Sequence, residues 1–152
     1  MKILLTIAFL FFFISVSSQA YQKNHERKNR FAKSIASASK KYDMPVELIK
    51  AVITLESNSY SKAKGKDNCK GLMQVKCGTY DSHRNIMNGT GILKHYLIKC
   101  KNDTAKAITA YNMGYTGMKR YYKKHGHASN YAKRVLKLFN LLKAQGKYYE
   151  KA

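Results

Sequence analysis

The sequence predicts a single domain that is mainly α-helical, with about six helices and little or no β-sheet. Two observations predict this class. Apolar residues recur at helical spacing in most segments after residue 30, and no segment shows the sustained alternation of apolar and polar residues that is typical of a strand. The chain has 152 residues, of which 45% are apolar and one is proline. That composition is enough for one hydrophobic core and excludes a disordered or repeat protein.

The first 20 residues are predicted to be a secretory signal peptide. Lys2 precedes the apolar run ILLTIAFLFFFISV, and the small residues Ser18 and Ala20 form a cleavage site before Tyr21. The alternative is a membrane anchor, but a spanning helix needs about 20 apolar residues. The sequence therefore predicts export to the periplasm or the extracellular space, with membrane contact only through an uncleaved signal segment.

A basic lead-in, expected to be mobile, is predicted over residues 21–30, and the domain over residues 31–145. The first helix covers 31–41, since apolar residues recur there at helical spacing. A second helix begins near Pro45, which a first helical turn tolerates, and runs to about Glu56.

The middle of the domain is predicted to be less regular. Residues 57–70 are polar and are expected to form a loop with room for a short hairpin, followed by the apolar segment GLMQV. A third helix is predicted over 83–101. The remaining predicted helices cover 104–112, 118–125 and 130–143, with the break MGYTG between the first two. Asp103 is predicted to cap the first of them, and Gly146 opens a tail over 146–152.

Charge limits the partners of this chain. It carries 29 Lys and Arg against 8 Asp and Glu, a net charge of +21, and Lys2 is the only charged residue in the predicted signal peptide. Such a charge attracts polyanions. Export and the lack of any nucleic-acid-binding motif argue against nucleic acid, and an anionic envelope polymer is favoured. No cofactor is expected, and the cysteines and histidines lack the spacing of a metal site. The chain is expected to be a monomer.

Three cysteines, Cys69, Cys77 and Cys100, are an odd number for an oxidising compartment. One disulfide and one free thiol are expected, and the sequence leaves all three pairings open.

The search for a catalytic acid is short because acids are scarce. The chain has four glutamates: Glu26, Glu47, Glu56 and Glu150. Only Glu56 lies on the buried stripe of a predicted helix, four residues after Val52 and eight after Leu48. Burial raises the pKa of a carboxyl group, and a carboxylic acid that stays protonated near neutral pH can serve as a general acid. The alternative is a buried glutamate paired for structural reasons.

Five sequence blocks occur in order along the domain: AVITLESNSY, GLMQV, DSHRNI, ITAYNMG and NYAKRVL. Together they resemble the soluble lytic transglycosylase domain of bacteria, which is related to goose-type lysozymes. The resemblance implies a lysozyme-like fold and a peptidoglycan glycan strand as substrate. Small exported members of the family accompany secretion or conjugation machines or phage, which implies local opening of the cell wall.

The resemblance also implies roles for individual residues. Glu56 matches the catalytic acid and base, and the residues expected to contact substrate are Ser57, Met73, Gln74, Tyr111, Asn112 and Tyr131. Amide, hydroxyl and aromatic groups suit a sugar, and the chain has 12 tyrosines and no tryptophan. For Met73 and Tyr111 the alternative is core packing.

By resemblance, one glutamate acts twice, so that the bond between N-acetylmuramic acid and N-acetylglucosamine is broken without water and a 1,6-anhydro-muramyl end forms. A lysozyme-like hydrolase is the first alternative, with Asp67 as its second carboxylate, because glycoside hydrolysis normally uses two. A cationic wall- or membrane-binding protein without catalysis is the second alternative.

Overall fold

The structure is a computed structural model that describes residues 31–149. The predicted signal peptide and lead-in lie outside the described residues, as do the last three residues of the predicted tail. Within residues 31–149, no helix combines the length and the apolar character that membrane crossing requires.

The described part of the chain is mainly helical, with one very small sheet, which confirms the predicted fold class. Its elements are α1 (Ala32–Tyr42), α2 (Val46–Ser57), β1 (Cys69–Lys70), β2 (Val75–Lys76), α3 (Ser82–Lys99), α4 (Thr104–His125) and α5 (Asn130–Tyr149). Helix α2 packs against α5, and α3 packs against α4, which in turn contacts α5.

Helix α2 is the most deeply buried of the helices next to the site. Leu48, Ile49 and Val52 are at most 3% exposed, because their spacing places them on one face of the helix. The helix ends at Ser57, since Asn58 adopts the left-handed conformation (φ 48°) and donates its backbone N–H to the carbonyl of Thr54. This end places residues 56 and 57 at the rim of the core.

Helix α4 joins two helices that the sequence predicts as separate. Gly114 has φ 75° and ψ 160°, a conformation that is readily accessible only to glycine, and it kinks the helix. The predicted break at MGYTG is therefore a kink rather than a loop. Asp103 caps α4 as predicted, since its carboxylate accepts the backbone N–H of Lys106 at 2.9 Å. The predicted end of the last helix at Lys143 is wrong, because α5 continues through Gly146 to Tyr149.

The two short strands form a hairpin, which we call the cleft hairpin (residues 69–76). Cys69 pairs with Lys76 and Lys70 pairs with Val75 in antiparallel register. The loop was predicted to hold a short hairpin, and the observed hairpin begins at the end of that loop and includes the apolar segment GLMQV. Its turn, residues 71–74, brings that apolar segment against the core.

The expected disulfide is not formed. Cys69, Cys77 and Cys100 are all free thiols. The register of the cleft hairpin places Lys76 opposite Cys69, and Cys77 instead donates its backbone N–H to the carbonyl of Asn68 at 3.1 Å. Cys100 is buried at the end of α3, where it packs against Ala107 and Met118 of α4.

Candidate functional site

A cleft of about 770 Å³ opens between the end of α2, the cleft hairpin, α3 and α4. Four of the seven residues predicted to form the site line it: Glu56, Gln74, Tyr111 and Asn112. Its other walls include Lys66, Asp67, Cys69, Val75, Ile92 and Tyr96. These residues come from α2, the cleft hairpin with the loop before it, α3 and α4, and the fold gathers them around Glu56.

Glu56 lies half-buried at the last turn of α2, with its side chain in the cleft wall. Its carboxylate oxygen Oε1 accepts a hydrogen bond from the hydroxyl of Tyr131 on α5 at 2.6 Å, the one hydrogen bond of this side chain within residues 31–149. Burial raises the pKa of Glu56, and the Tyr131 hydrogen bond opposes that rise. Because burial is the larger effect, the protonated form is favoured compared with an ordinary glutamate.

Two tyrosine hydroxyls near Glu56 stay neutral. Burial raises the pKa of Tyr111 and Tyr131 far above the ordinary range, and the nearby charge of Glu56 raises both further. A neutral phenol can donate a hydrogen bond but carries no charge. Tyr131 therefore orients and supports the carboxylate of Glu56 without competing for its proton.

Tyr111 and Asn112 lie on α4, just before the kink. The hydroxyl of Tyr111 donates to the carbonyl oxygen of Met73 at 2.7 Å, which ties α4 to the cleft hairpin and leaves the ring in the cleft wall. Asn112 is exposed in the cleft, and its amide makes no hydrogen bond within the described part of the chain. Asn112 is therefore free to bind a ligand.

Met73 is a core residue in this structure. Its side chain is fully buried, and its sulfur lies 3.7 Å from the hydroxyl oxygen of Thr90. A Cβ atom on Gly89 would come within 2.6 Å of the Cβ of Met73, so only glycine allows α3 to approach the hairpin this closely. The structure thus places Met73 behind the cleft wall, where its carbonyl positions Tyr111.

Ser57 and Gln74 are both held by backbone groups. The hydroxyl of Ser57 donates to the carbonyl of Leu72 at 2.8 Å. The amide of Gln74 donates to the carbonyls of Gly71 at 2.8 Å and Ala63 at 3.2 Å. Both donor hydrogens of the Gln74 amide are therefore used, and its Oε1 is the atom left for a ligand. Substrate contact by these two residues stays a prediction.

Asn85 is the residue that fixes the cleft hairpin. It is 1% exposed; its Oδ1 accepts the backbone N–H of Met73 at 2.8 Å, and its Nδ2 donates to the carbonyls of Lys70 at 2.8 Å and Thr79 at 2.9 Å. One side chain from α3 thus satisfies three backbone groups of the hairpin and its following loop.

Sequence reasoning did not identify Ile92 and Tyr96 as cleft residues. Both are on α3, four residues apart, and therefore on one face of the helix. Ile92 is 37% exposed. The signal in the sequence was the i, i+4 spacing of an aliphatic and an aromatic residue, because a sugar ring can stack its apolar face on such a pair.

Among the residues that the structure describes, no group of three or more His, Cys, Asp or Glu side chains is arranged to hold a metal ion. The cleft offers two carboxyl groups, those of Glu56 and Asp67, together with hydroxyl and amide groups.

Comparison with protein families gives one match. The model of the transglycosylase SLT domain family matches residues 33–133, more than half of the chain, and includes α2, the cleft hairpin, α3, α4 and the start of α5. The chain therefore belongs to the transglycosylase SLT domain family, as the five sequence blocks predict.

Proposed function

We propose that this member of the transglycosylase SLT domain family cleaves the β-1,4 bond between N-acetylmuramic acid and N-acetylglucosamine in peptidoglycan, and that Glu56 is its only catalytic carboxyl group. The observation that carries the proposal is the environment of Glu56. It is half-buried in the wall of the cleft, its pKa is raised by burial, and it is bound by one neutral hydroxyl. Such a carboxyl group can give up a proton and take one back.

In the proposed reaction, protonated Glu56 donates its proton to the oxygen of the glycosidic bond, and the bond to C1 of the muramyl sugar breaks. The N-acetyl group of the substrate stabilises the positive charge at C1. The Glu56 carboxylate then takes the proton from the C6 hydroxyl, whose oxygen bonds to C1. The products are a free 4-hydroxyl group on N-acetylglucosamine and a 1,6-anhydro-muramyl end, and Glu56 is protonated again.

The residues around Glu56 have distinct parts in this scheme. Tyr131 holds the carboxylate through the 2.6 Å hydrogen bond and stabilises its charged form between the two proton transfers. Asn112 offers an unpaired amide to the sugar hydroxyls, and the ring of Tyr111 offers an apolar face. Water is not a reactant, so no second carboxylate is needed to activate it.

A hydrolase is the second candidate, and one observation favours it. Asp67 lines the same cleft as Glu56, so a second carboxylate is present in the site. Mass spectrometry of digested cell wall separates the two reactions, because transglycosylation leaves 1,6-anhydro ends and hydrolysis leaves reducing ends. Asp67→Asn is the matched variant. If this variant forms anhydro products at the normal rate, the proposal is supported. If the variant loses cleavage and the parent protein forms reducing-end products, the hydrolase is supported.

Glu56→Gln tests whether the protein is a catalyst at all. The amide keeps the shape of the side chain but cannot donate the proton. We therefore expect the rate of cleavage to fall by about 10²-fold to 10⁴-fold. Cleavage that persists in this variant would instead indicate a cationic wall- or membrane-binding protein that acts by charge.

The same variant carries its own control for folding. Because folding raises the pKa of Glu56, the unfolded chain ionises first as the pH rises, and ionised Glu56 makes the native state less stable. Glu56→Gln should therefore match or exceed the parent in melting temperature at pH 7. Any gain should vanish below about pH 4, where the group is protonated in both states.

We further propose that the protein acts outside the cytoplasm as a monomer, after export by its N-terminal apolar segment. Local opening of the wall for a secretion or conjugation apparatus, or for a phage, is the role we infer from the resemblance. Fractionation of cells, with the N-terminus of the exported protein sequenced, tests export and cleavage before Tyr21 together.

A further inference from the structure

A second, smaller concavity lies between the end of α3 and the part of α4 after the kink. Its volume is about 290 Å³, and the buried side chains of Cys100 and Met118 contribute to its floor. Tyr115 and Tyr122 also line it. Four lysines complete the lining: Lys99, Lys101, Lys106 and Lys119. We call this concavity the lysine pocket.

Aromatic rings hold two of the ammonium groups. The Nζ of Lys99 lies 4.3 Å from the centroid of the Tyr115 ring, and the Nζ of Lys106 lies 5.5 Å from that of Tyr122. Cation–π attraction keeps a cation over a ring while leaving its N–H groups able to bind an anion. Both lysines are therefore positioned by the pocket itself.

The charge of the pocket is only partly balanced. Lys106 forms an ion pair with Asp103, with Nζ and Oδ2 3.0 Å apart. Lys99, Lys101 and Lys119 have no acidic partner within the described residues. Three positive charges thus surround an apolar floor, which suits a ligand that combines anionic groups with small apolar parts.

The lysine pocket and the cleft share a wall. Tyr96 lines the cleft and also packs against the buried cluster of Cys100 and Met118. Gly114 lines the cleft, while the next residue, Tyr115, lines the pocket. The pocket and the cleft are therefore adjacent, with Tyr96 and the step from Gly114 to Tyr115 between them.

We propose that the lysine pocket binds the carboxylates of the peptide stem that branches from the muramyl sugar, so that the enzyme selects glycan strands that carry stems. This inference rests on the proposed function. An extended stem of four residues reaches about 13 Å from the sugar, at about 3.3 Å per residue. Lysine ammonium groups bind carboxylates as flexible point charges, and the apolar floor suits the methyl groups of alanine residues.

The experiment compares soluble glycan strands of one length in two forms, with intact stems and with the stems removed by an amidase. The quantity measured is the stem selectivity, defined as kcat/KM on strands with stems divided by kcat/KM on stripped strands. The test variant is Lys99→Gln/Lys119→Gln, which spares Lys106 and its ion pair at the start of α4. The control is Lys40→Gln/Lys137→Gln, which removes two charges from exposed residues whose side chains make no hydrogen bond, ion pair or ring contact within residues 31–149.

We expect the parent protein to prefer strands with stems and the test variant to lose about fivefold of that selectivity, since two exposed ion pairs are removed. The control should keep the parent selectivity. Amidation of the stem carboxylates should reproduce the effect of the test variant in the parent protein.

Three results would overturn the inference: equal cleavage of both strands by the parent, equal loss of selectivity in test and control variants, or a test variant that loses affinity only for phosphate-bearing wall polymer. Cleavage of both strands without selectivity leaves the proposed function intact, whereas absence of cleavage rejects it. If neither strand is cleaved, the stem selectivity is measured instead as the ratio of the binding affinities for the two strands. The lysine substitutions are then compared in protein that carries Glu56→Gln, and this comparison decides the inference.

Discussion

The two walls of the cleft use polar side chains in opposite ways. On the wall formed by the end of α2, which we call the α2 wall, Glu56 has a single hydrogen-bond partner among the described residues, the hydroxyl of Tyr131 on α5. On the hairpin wall, the amide groups of Asn85 and Gln74 form hydrogen bonds with backbone atoms of the hairpin and its flanking loops. The difference indicates that polar side chains around one cleft can either be left open to a ligand or be used to hold the backbone, and that the number of internal hydrogen-bond partners distinguishes the two cases.

The polar side chains of the hairpin wall are hydrogen-bonded within the protein for a structural reason. Its two strands are two residues long, which is too short to hold a ladder of backbone hydrogen bonds. Side chains from α3 and α4 replace that ladder: Asn85 binds three backbone groups and Tyr111 binds the carbonyl of Met73. The α2 wall is the end of a helix whose backbone is held by its own hydrogen bonds. Ser57 there binds the carbonyl of Leu72, and the carboxyl group of Glu56 is left for a substrate.

Asn85→Ala should give the largest loss of stability. It leaves three backbone groups beside a buried site without their partner, and we expect a cost of about 3 kcal/mol in the free energy of unfolding. Denaturant unfolding followed by circular dichroism measures it. Asn88→Ala, on the same helix but exposed, is the control and should change stability by less than about 0.5 kcal/mol. Equal effects of the two substitutions would remove the distinction between the walls.

Gln74→Ala and Asn112→Ala should separate stability from activity. Gln74→Ala loses two hydrogen bonds to backbone carbonyls and should cost about 1 kcal/mol or more of stability. Asn112→Ala should leave stability within about 0.5 kcal/mol and lower kcat/KM by about tenfold, since its free amide faces the cleft. Melting curves and kinetics on the same preparations measure both effects. The reverse pattern would show that the number of internal hydrogen bonds does not distinguish structural residues from ligand-binding residues here.

Tyr131→Phe should produce a smaller effect, visible mainly in the pH profile. The variant removes the hydrogen bond that lowers the pKa of Glu56, so that pKa should rise further. Because the reaction needs protonated Glu56, the alkaline limb of kcat/KM should move to higher pH. Tyr111→Phe is the control: its hydroxyl bonds the carbonyl of Met73, so the limb should stay in place. If the alkaline limb does not move in Tyr131→Phe, the Tyr131 hydrogen bond does not influence the ionisation that controls the reaction.

The α2 wall was more predictable from sequence than the hairpin wall. Glu56 could be identified because acids are scarce and the helical period of α2 places it on the buried stripe. The break at Gly114 was also predictable, although its outcome as a kink within one helix was not, since that depends on how the two halves of α4 pack. Tyr131 lies 75 positions from Glu56, so only the resemblance linked them before the structure did.

The orientation of Met73 could not be predicted by the same means. It lies in a hairpin turn, where neither the period of a helix nor that of a strand fixes which way a side chain points. The close approach of Gly89 on α3 turns this side chain inward and away from the cleft. The spacing of the motif therefore located the segment correctly but did not reveal which of its atoms reach a substrate.

Direct titration of the Glu56 carboxyl group tests the central claim. Carbon-13 NMR of protein labelled at the glutamate side chains follows Glu56, assigned by its absence in Glu56→Gln, while kcat/KM is measured across the same pH range. We predict that Glu56 titrates above the ordinary range of glutamate and that its midpoint coincides with the alkaline limb of kcat/KM. An ordinary midpoint, or a limb that follows another group, would contradict the assignment of Glu56 as the catalytic acid.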